Sequence, residues 1–230
     1  MKRFVLYVVA LIILSGIAYA LYVFVPRVPT LSTGPAPAAT STEVTVQEKV
    51  ITESTDAYKI DAHYPQFGIP AVDEKVQAVI EKALTEFRAY PRNPRDSATP
   101  QNELMSSYNS VYIGADVASV ALSISEYTGG AHGNTVIIGV NVDRATDKGI
   151  SLDDALALIG KTLPQVAEAS LVQLRATLGG NLTFPEGASA TAENYGTFLV
   201  SQDRVTFVFN NYQVAPYAAG QQQVWFTRVK

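Results

Sequence analysis

The sequence predicts an α+β fold: mainly antiparallel sheet with two long amphipathic helices, preceded by one N-terminal transmembrane helix. Three observations carry this. Residues 4–25 hold no charged side chain. Two later stretches repeat apolar residues at helical spacing. The other regular stretches alternate apolar and polar residues between turn signals, as successive hairpins do.

The uncharged run spans 22 residues, enough for a helix to cross a hydrocarbon core of about 30 Å. Lys2 and Arg3 precede it, so the positive-inside rule places the N-terminus in the cytoplasm and the rest outside. Tyr19, Tyr22 and Phe24 gather toward the outer end, as an interfacial aromatic belt would. Ala18-Tyr19-Ala20 also has the form of a cleavage site, which would release a secreted chain near Ala20. Apolar residues continue through Val25, which favours an uncleaved anchor and a single-pass protein of the cell membrane. Residues 26–42 are rich in Pro, Ala, Ser and Thr and read as an extended tether. The organisation expected is an anchor at 1–25, a linker at 26–42 and one extracytoplasmic domain at 43–230. That domain has two sub-regions, about 43–150 and 151–230.

Within it, residues 43–52 and 55–64 alternate as two strands, closed by Pro65 and Pro70. Residues 71–90 form the clearest helix. Val72, Val76, Val79/Ile80, Ala83/Leu84 and Phe87 make one apolar stripe, and Pro70 and Pro91 bracket it. Asp73 and Glu74 in the first turn and Arg88 in the last complement the macrodipole. Residues 91–106, polar and proline-containing, read as a loop. Residues 107–115 and 117–127 form a hairpin whose second strand turns Val120, Leu122 and Ile124 one way and Ser119, Ala121, Ser123 and Ser125 the other. Residues 134–143 are a further strand, and 143–149 a turn-rich connection. Ser151 caps a short helix through Ile159. A second long helix covers 163–178, with Gly179-Gly180 as its C-cap. Strands at 196–201, 204–209 and 223–229 complete the order.

Composition narrows the function classes. Setting Lys2 and Arg3 aside leaves 15 basic and 21 acidic residues, a net charge of −6. An acidic exterior argues against nucleic acid, whose phosphates demand Lys and Arg. The chain has no cysteine, so no disulfide framework forms. With no cysteine and two distant histidines, no metal-ligand spacing is present. No phosphate loop, dinucleotide motif or nucleophile elbow occurs either, so no cofactor is expected and no catalytic constellation is visible.

Two runs stand out. Residues 126–134 read Glu-Tyr-Thr-Gly-Gly-Ala-His-Gly-Asn, and residues 211–220 read Asn-Tyr-Gln-Val-Ala-Pro-Tyr-Ala-Ala-Gly. The first is a backbone device, since glycine permits positive φ and close approach. The second gathers tyrosines, which bind at low entropic cost. The candidate binding residues are Glu126, Tyr127, Gly129, Gly130, His132, Tyr212 and Tyr217. For His132 the simpler reading is a ring bonded to backbone that holds the turn. A ligand contact or proton-transfer role is the sharper one.

With Tyr64-Pro65 before the first helix, Gly129–Gly133, Asn141-Val-Asp143 and the 212–220 run in this order, the chain resembles the ectodomain family of the lysozyme-responsive anti-sigma factor RsiV. Related modules accompany PdaC-type peptidoglycan deacetylases. The resemblance covers about residues 43–230 and implies a bacterial extracytoplasmic domain, largely of unknown function. Its expected partner is a lysozyme-like protein or a peptidoglycan fragment. Only three residues precede the apolar run, too few for a sigma-binding segment, so sigma control is not expected to come with the likeness. Deacetylase catalysis does not come with the likeness either, because the deacetylase catalytic domain is missing. The function expected is a binding module. The alternatives are a cell-wall polymer hydrolase or deacetylase with a site around His132 and Glu126, or a structural envelope assembly protein.

Overall fold

The computed structural model describes residues 44–91 and 100–229. The expected transmembrane helix and the linker lie outside them, and among the described residues no helix is long and apolar enough to cross a membrane. Among the described residues the architecture is α+β, with two sheets and three α-helices.

The first sheet has five strands in sequential order: β1 (Gln47–Ser54), β2 (Tyr58–Gln66), β3 (Asn102–Ile113), β4 (Val117–Tyr127) and β5 (Asn134–Asp143). Helix α1 (Pro70–Arg88) connects β2 to β3. It buries Val72, Val76, Ile80, Leu84 and Phe87 in one cluster with Ile60, Leu104, Val120, Leu122 and Ile124. A fully buried side chain of this size contributes about 1.5–3 kcal/mol relative to exposure, so this stripe is what holds the helix on the sheet. Asp73 accepts from the Phe67 backbone N–H at 2.7 Å and fixes the turn that leads into α1.

Two sequence expectations are corrected here. Residues 102–106 were expected in a loop but open β3, with Asn102, Leu104 and Ser106 buried. They pair in parallel with β2, Ile60 facing Leu104. All other strand pairings are antiparallel. A parallel neighbour requires a long crossover, and α1 supplies it. The segment is polar on its own and becomes a strand through a distant partner. Strand β2 also continues past Pro65, which faces Glu48 of β1. The ladder with β3 has ended at Ala62, so the proline nitrogen interrupts no second ladder.

Helix α2 (Leu152–Leu158) starts with a capping box between Ser151 and Asp154. Helix α3 (Leu163–Leu178) ends at Gly179, whose φ is 54°. Strands β6 (Phe198–Val200), β7 (Arg204–Phe209) and β8 (Gln222–Thr227) form the second, antiparallel sheet. One face of it shares a core with α2 and α3, centred on Tyr195, Phe207, Phe209, Val166 and Leu174. The other face meets the side of the first sheet opposite α1, where Leu199 and Val208 pack on Ala121 and Ile137.

A buried polar knot ties the sheets together. Ser119 Oγ donates to Asn141 Oδ1 at 2.7 Å, and Asn141 Nδ2 donates to the Phe198 carbonyl at 2.8 Å. The Val200 N–H donates to both side-chain oxygens, each at 3.1 Å. Backbone groups of β6 that lack a strand neighbour are thus satisfied by side chains of β4 and β5.

Candidate functional site

The connection from β4 to β5 carries the glycine run. Gly129 and Gly130 have φ of 105° and 96°, a region closed to most side chains. The reversal lifts His132 to the surface, and the rest of the site is brought to it by the connection from β7 to β8. That connection is clamped along β5. The Asn210 amide accepts from the Ile137 N–H at 2.7 Å and donates to the Ile137 carbonyl at 3.2 Å. Asn211 and Gln221 both donate to the Thr135 carbonyl. These amides occupy an edge that would otherwise present unpaired backbone groups.

The clamp sets three rings against one another. His132 stacks on Tyr217 with centroids 4.2 Å apart and lies 6.3 Å from Tyr212. His132 Nδ1 donates to the Gly133 carbonyl at 2.8 Å, and Tyr217 donates to that same oxygen at 3.2 Å. In the neutral ring this places the proton on Nδ1 and leaves Nε2 to accept from the Tyr212 hydroxyl at 3.2 Å. The backbone-bonded role of His132 and its place in an exposed aromatic group therefore coincide. Tyr212 is 50% exposed and sits at φ 66°. A tyrosine there is strained by roughly 1 kcal/mol or more. The turn over-determines it, because Asn210 N–H donates to Gln213 Oε1 and Gln213 N–H donates to the Asn210 carbonyl, both at 3.0 Å.

Beside the stack opens a cleft of about 360 Å³ whose lining includes Glu103, Met105, Ser125, Tyr127, Thr135 and Tyr217. Tyr127 donates to the Gly130 carbonyl at 3.2 Å and so braces the glycine turn. Glu126 and Gly133 also border this cleft, but strand alternation separates Glu126 from Tyr127. The Glu126 side chain follows Leu122 and Ile124 toward the α1 side, where burial first and the Glu86 carboxylate second push its pKa up. Of the seven residues singled out from sequence, the structure gathers His132, Tyr212 and Tyr217 into the stack. Tyr127, Gly129 and Gly130 are its support, and the Glu126 carboxyl points to the other face.

The amides of Asn210, Asn211 and Gln221 position the site and were missed by sequence reasoning. The density of amide side chains at 210–213 and 221–223 is the signal that could have marked them. Among the described residues no three His, Asp or Glu side chains come together to hold a metal ion.

Two sheets clamped into one α+β module, with an aromatic stack over an open cleft, define the class. Two family models match, "Deacetylase PdaC" over residues 51–135 and "Protein of unknown function (DUF3298)" over residues 160–228. Together they support a PdaC-type domain arrangement. The chain is similar to the peptidoglycan-N-acetylmuramic acid deacetylase PdaC of Bacillus subtilis, 26% identical over 166 residues, which cover 70% of this chain and 36% of that protein. It thus spans about a third of that enzyme's length. It is also 26% identical to the immunogenic protein MPT64 of Mycobacterium tuberculosis over 76% of this chain and 77% of that one. Crystal structures of DUF3298 proteins from Bacteroides fragilis (TM-score 0.55, 17% identity, 80% of this chain and 91% of that one) and Pseudomonas aeruginosa (0.51, 16%, 80% and 91%) share the fold.

Proposed function

We propose that this chain is a membrane-tethered, extracytoplasmic binding module of the bacterial envelope that recognises a cell-wall glycan at the Tyr217–His132 cleft. The carrying observation is the composite stack, two rings 4.2 Å apart held in place by one shared backbone carbonyl. A rigid aromatic face beside hydroxyls suits the C–H faces and hydroxyls of a sugar, and it loses little entropy on binding. The likeness to a protein named for a peptidoglycan substrate supports the choice of wall material. The uncharged run at 4–25 motivates the tether.

Binding is favoured over turnover. Rings, amides and hydroxyls meet at the cleft, while the Glu103 carboxylate is drawn to Lys59 at 3.6 Å and Glu126 projects elsewhere. Lysozyme, a cationic protein that an acidic exterior would steer inward, is the rival partner.

Calorimetric titration of the full chain in detergent with soluble peptidoglycan fragments, and separately with lysozyme, tests this. Binding of fragments that Tyr217→Ala weakens by about tenfold, the value of roughly 1.4 kcal/mol, is the expected result. No heat from fragments at high micromolar concentration, or fragment turnover by the chain alone, overturns it.

A further inference from the structure

The cleft does not end at the tyrosine stack. Alternation places Tyr127, Ser125, Ser123, Ala121 and Ser119 of β4 on the face away from α1, and each has a partner on β3. Tyr127 faces Glu103, Ser125 faces Met105, Ser123 faces Ser107, Ala121 faces Ser110, and Ser119 faces Tyr112. The first two rows floor the cleft already described. The last two floor a second cleft of about 420 Å³, beyond the Ser107–Ser123 pair, of which Ser107 is exposed and Ser123 half-buried. The eight steps from Tyr127 to Ser119 extend about 27 Å at strand rise.

The second sheet overhangs this floor. Thr206, Gln223 and Arg204 line the second cleft. Trp225 is the cross-strand partner of Thr206, so both rings and hydroxyls of that row face the same way. Trp225 is 51% exposed, with the Arg204 guanidinium 4.9 Å from its ring centre. Gln221 belongs to both ends: it lines the second cleft and donates to Thr135, which lines the first.

Five of the floor's ten residues are serines, with Tyr112 at one end and Tyr127 at the other, and Glu103 at the near end is paired with Lys59. Arg204, the charged side chain at the far end, is held by Asp203 at 2.8 Å. An acidic or basic polymer finds little net charge to pair with. An extended peptide finds a sheet face and not a strand edge, so it cannot add by backbone hydrogen bonds. A neutral polymer of hydroxyls, amides and apolar ring faces is matched by Tyr127 and Ser125 at one end and by Ser110, Tyr112, Thr206 and Gln223 at the other.

We infer that the two clefts are the ends of one trough that binds a linear, neutral, N-acetylated glycan chain several sugars long. This rests on the glycan reading above and adds length, continuity and a second contact region on β3, β7 and β8.

The test is affinity of the full chain for N-acetylglucosamine oligomers of two, four and six units. Affinity rises with length, by about tenfold or more between two and six units if each end contributes one good contact. Gln223→Ala, at an exposed far-end position, and Ser107→Trp, which fills the middle of the floor, each lower hexamer affinity and leave dimer affinity unchanged. Tyr217→Ala lowers both. Far-ultraviolet dichroism of each variant confirms that it remains folded, and Gln223→Ala keeps the test valid should Ser107→Trp fail to fold. Equal affinity for dimer and hexamer, with only Tyr217→Ala weakening them, overturns the trough and leaves the cleft standing. Binding of wall stem peptides or lysozyme with none of any oligomer overturns both.

Discussion

Glu126 shows how one position of alternation changes a residue's role. It precedes Tyr127 on β4, yet its carboxyl lies on the α1 side near Glu86. Burial and a like charge both disfavour its ionised form. Its native pKa therefore stands above the unfolded value, and the folded protein binds the proton more readily. Stability falls as pH rises from about 4.5 through the raised native value, and the penalty persists at neutral pH. Glu126→Gln removes it. The variant is expected to melt a few degrees higher at pH 7 and to lose that advantage below about pH 4, where both states carry a protonated carboxyl. Its affinity for wall fragments should match the wild type, because the side chain does not reach the stack. A drop in melting temperature at pH 7 would contradict this account, and thermal scans across pH measure it.

At the scale of elements, β5 and β6 meet backbone to backbone. A Cβ added at Gly139 would lie 2.0 Å from the Phe198 carbonyl oxygen. No side-chain rotation relieves a clash between two backbones. Gly139→Ala must push the second sheet away from the first and should cost on the order of 2–3 kcal/mol. A denaturant midpoint equal to wild type would show that the sheets do not meet there. The sequence marked most elements well, because each carries its own period. Helix α1 shows five apolar residues on one face, and β4 shows strict alternation. The first five residues of β3 were illegible. Asn102, Glu103, Leu104, Met105 and Ser106 hold only two large apolar residues, and their pairing with β2 lies across a whole helix. The stack was partly legible, since His132, Tyr212 and Tyr217 were all marked. Their contact was not, because it depends on Asn210 and Asn211 reaching β5 from 70 or more positions away.

For the whole molecule, the knot at Asn141 decides whether two cores behave as one. Asn141→Ala leaves the Phe198 carbonyl without its donor in a buried place and should cost about 2 kcal/mol. The chain holds one tryptophan, and Trp225 lies on β8, so its fluorescence reports the second sheet while far-ultraviolet dichroism reports both. In the wild type the two probes should trace one urea transition. In Asn141→Ala the fluorescence midpoint should move to lower urea than the dichroism midpoint. Coincident curves in the variant would mean that other contacts couple the cores.

The amino-acid order alone determined the α+β class, the two long helices and nearly every strand. Those follow from the spacing of apolar residues along a few turns or pleats, which is local information. The tertiary structure decided the parallel β2–β3 pair, the direction of the Glu126 carboxyl and the meeting of the 126–134 and 211–220 runs. It also set two clefts along one sheet face. These depend on hydrogen bonds and packing between segments far apart in the chain, and no local period records such a partner.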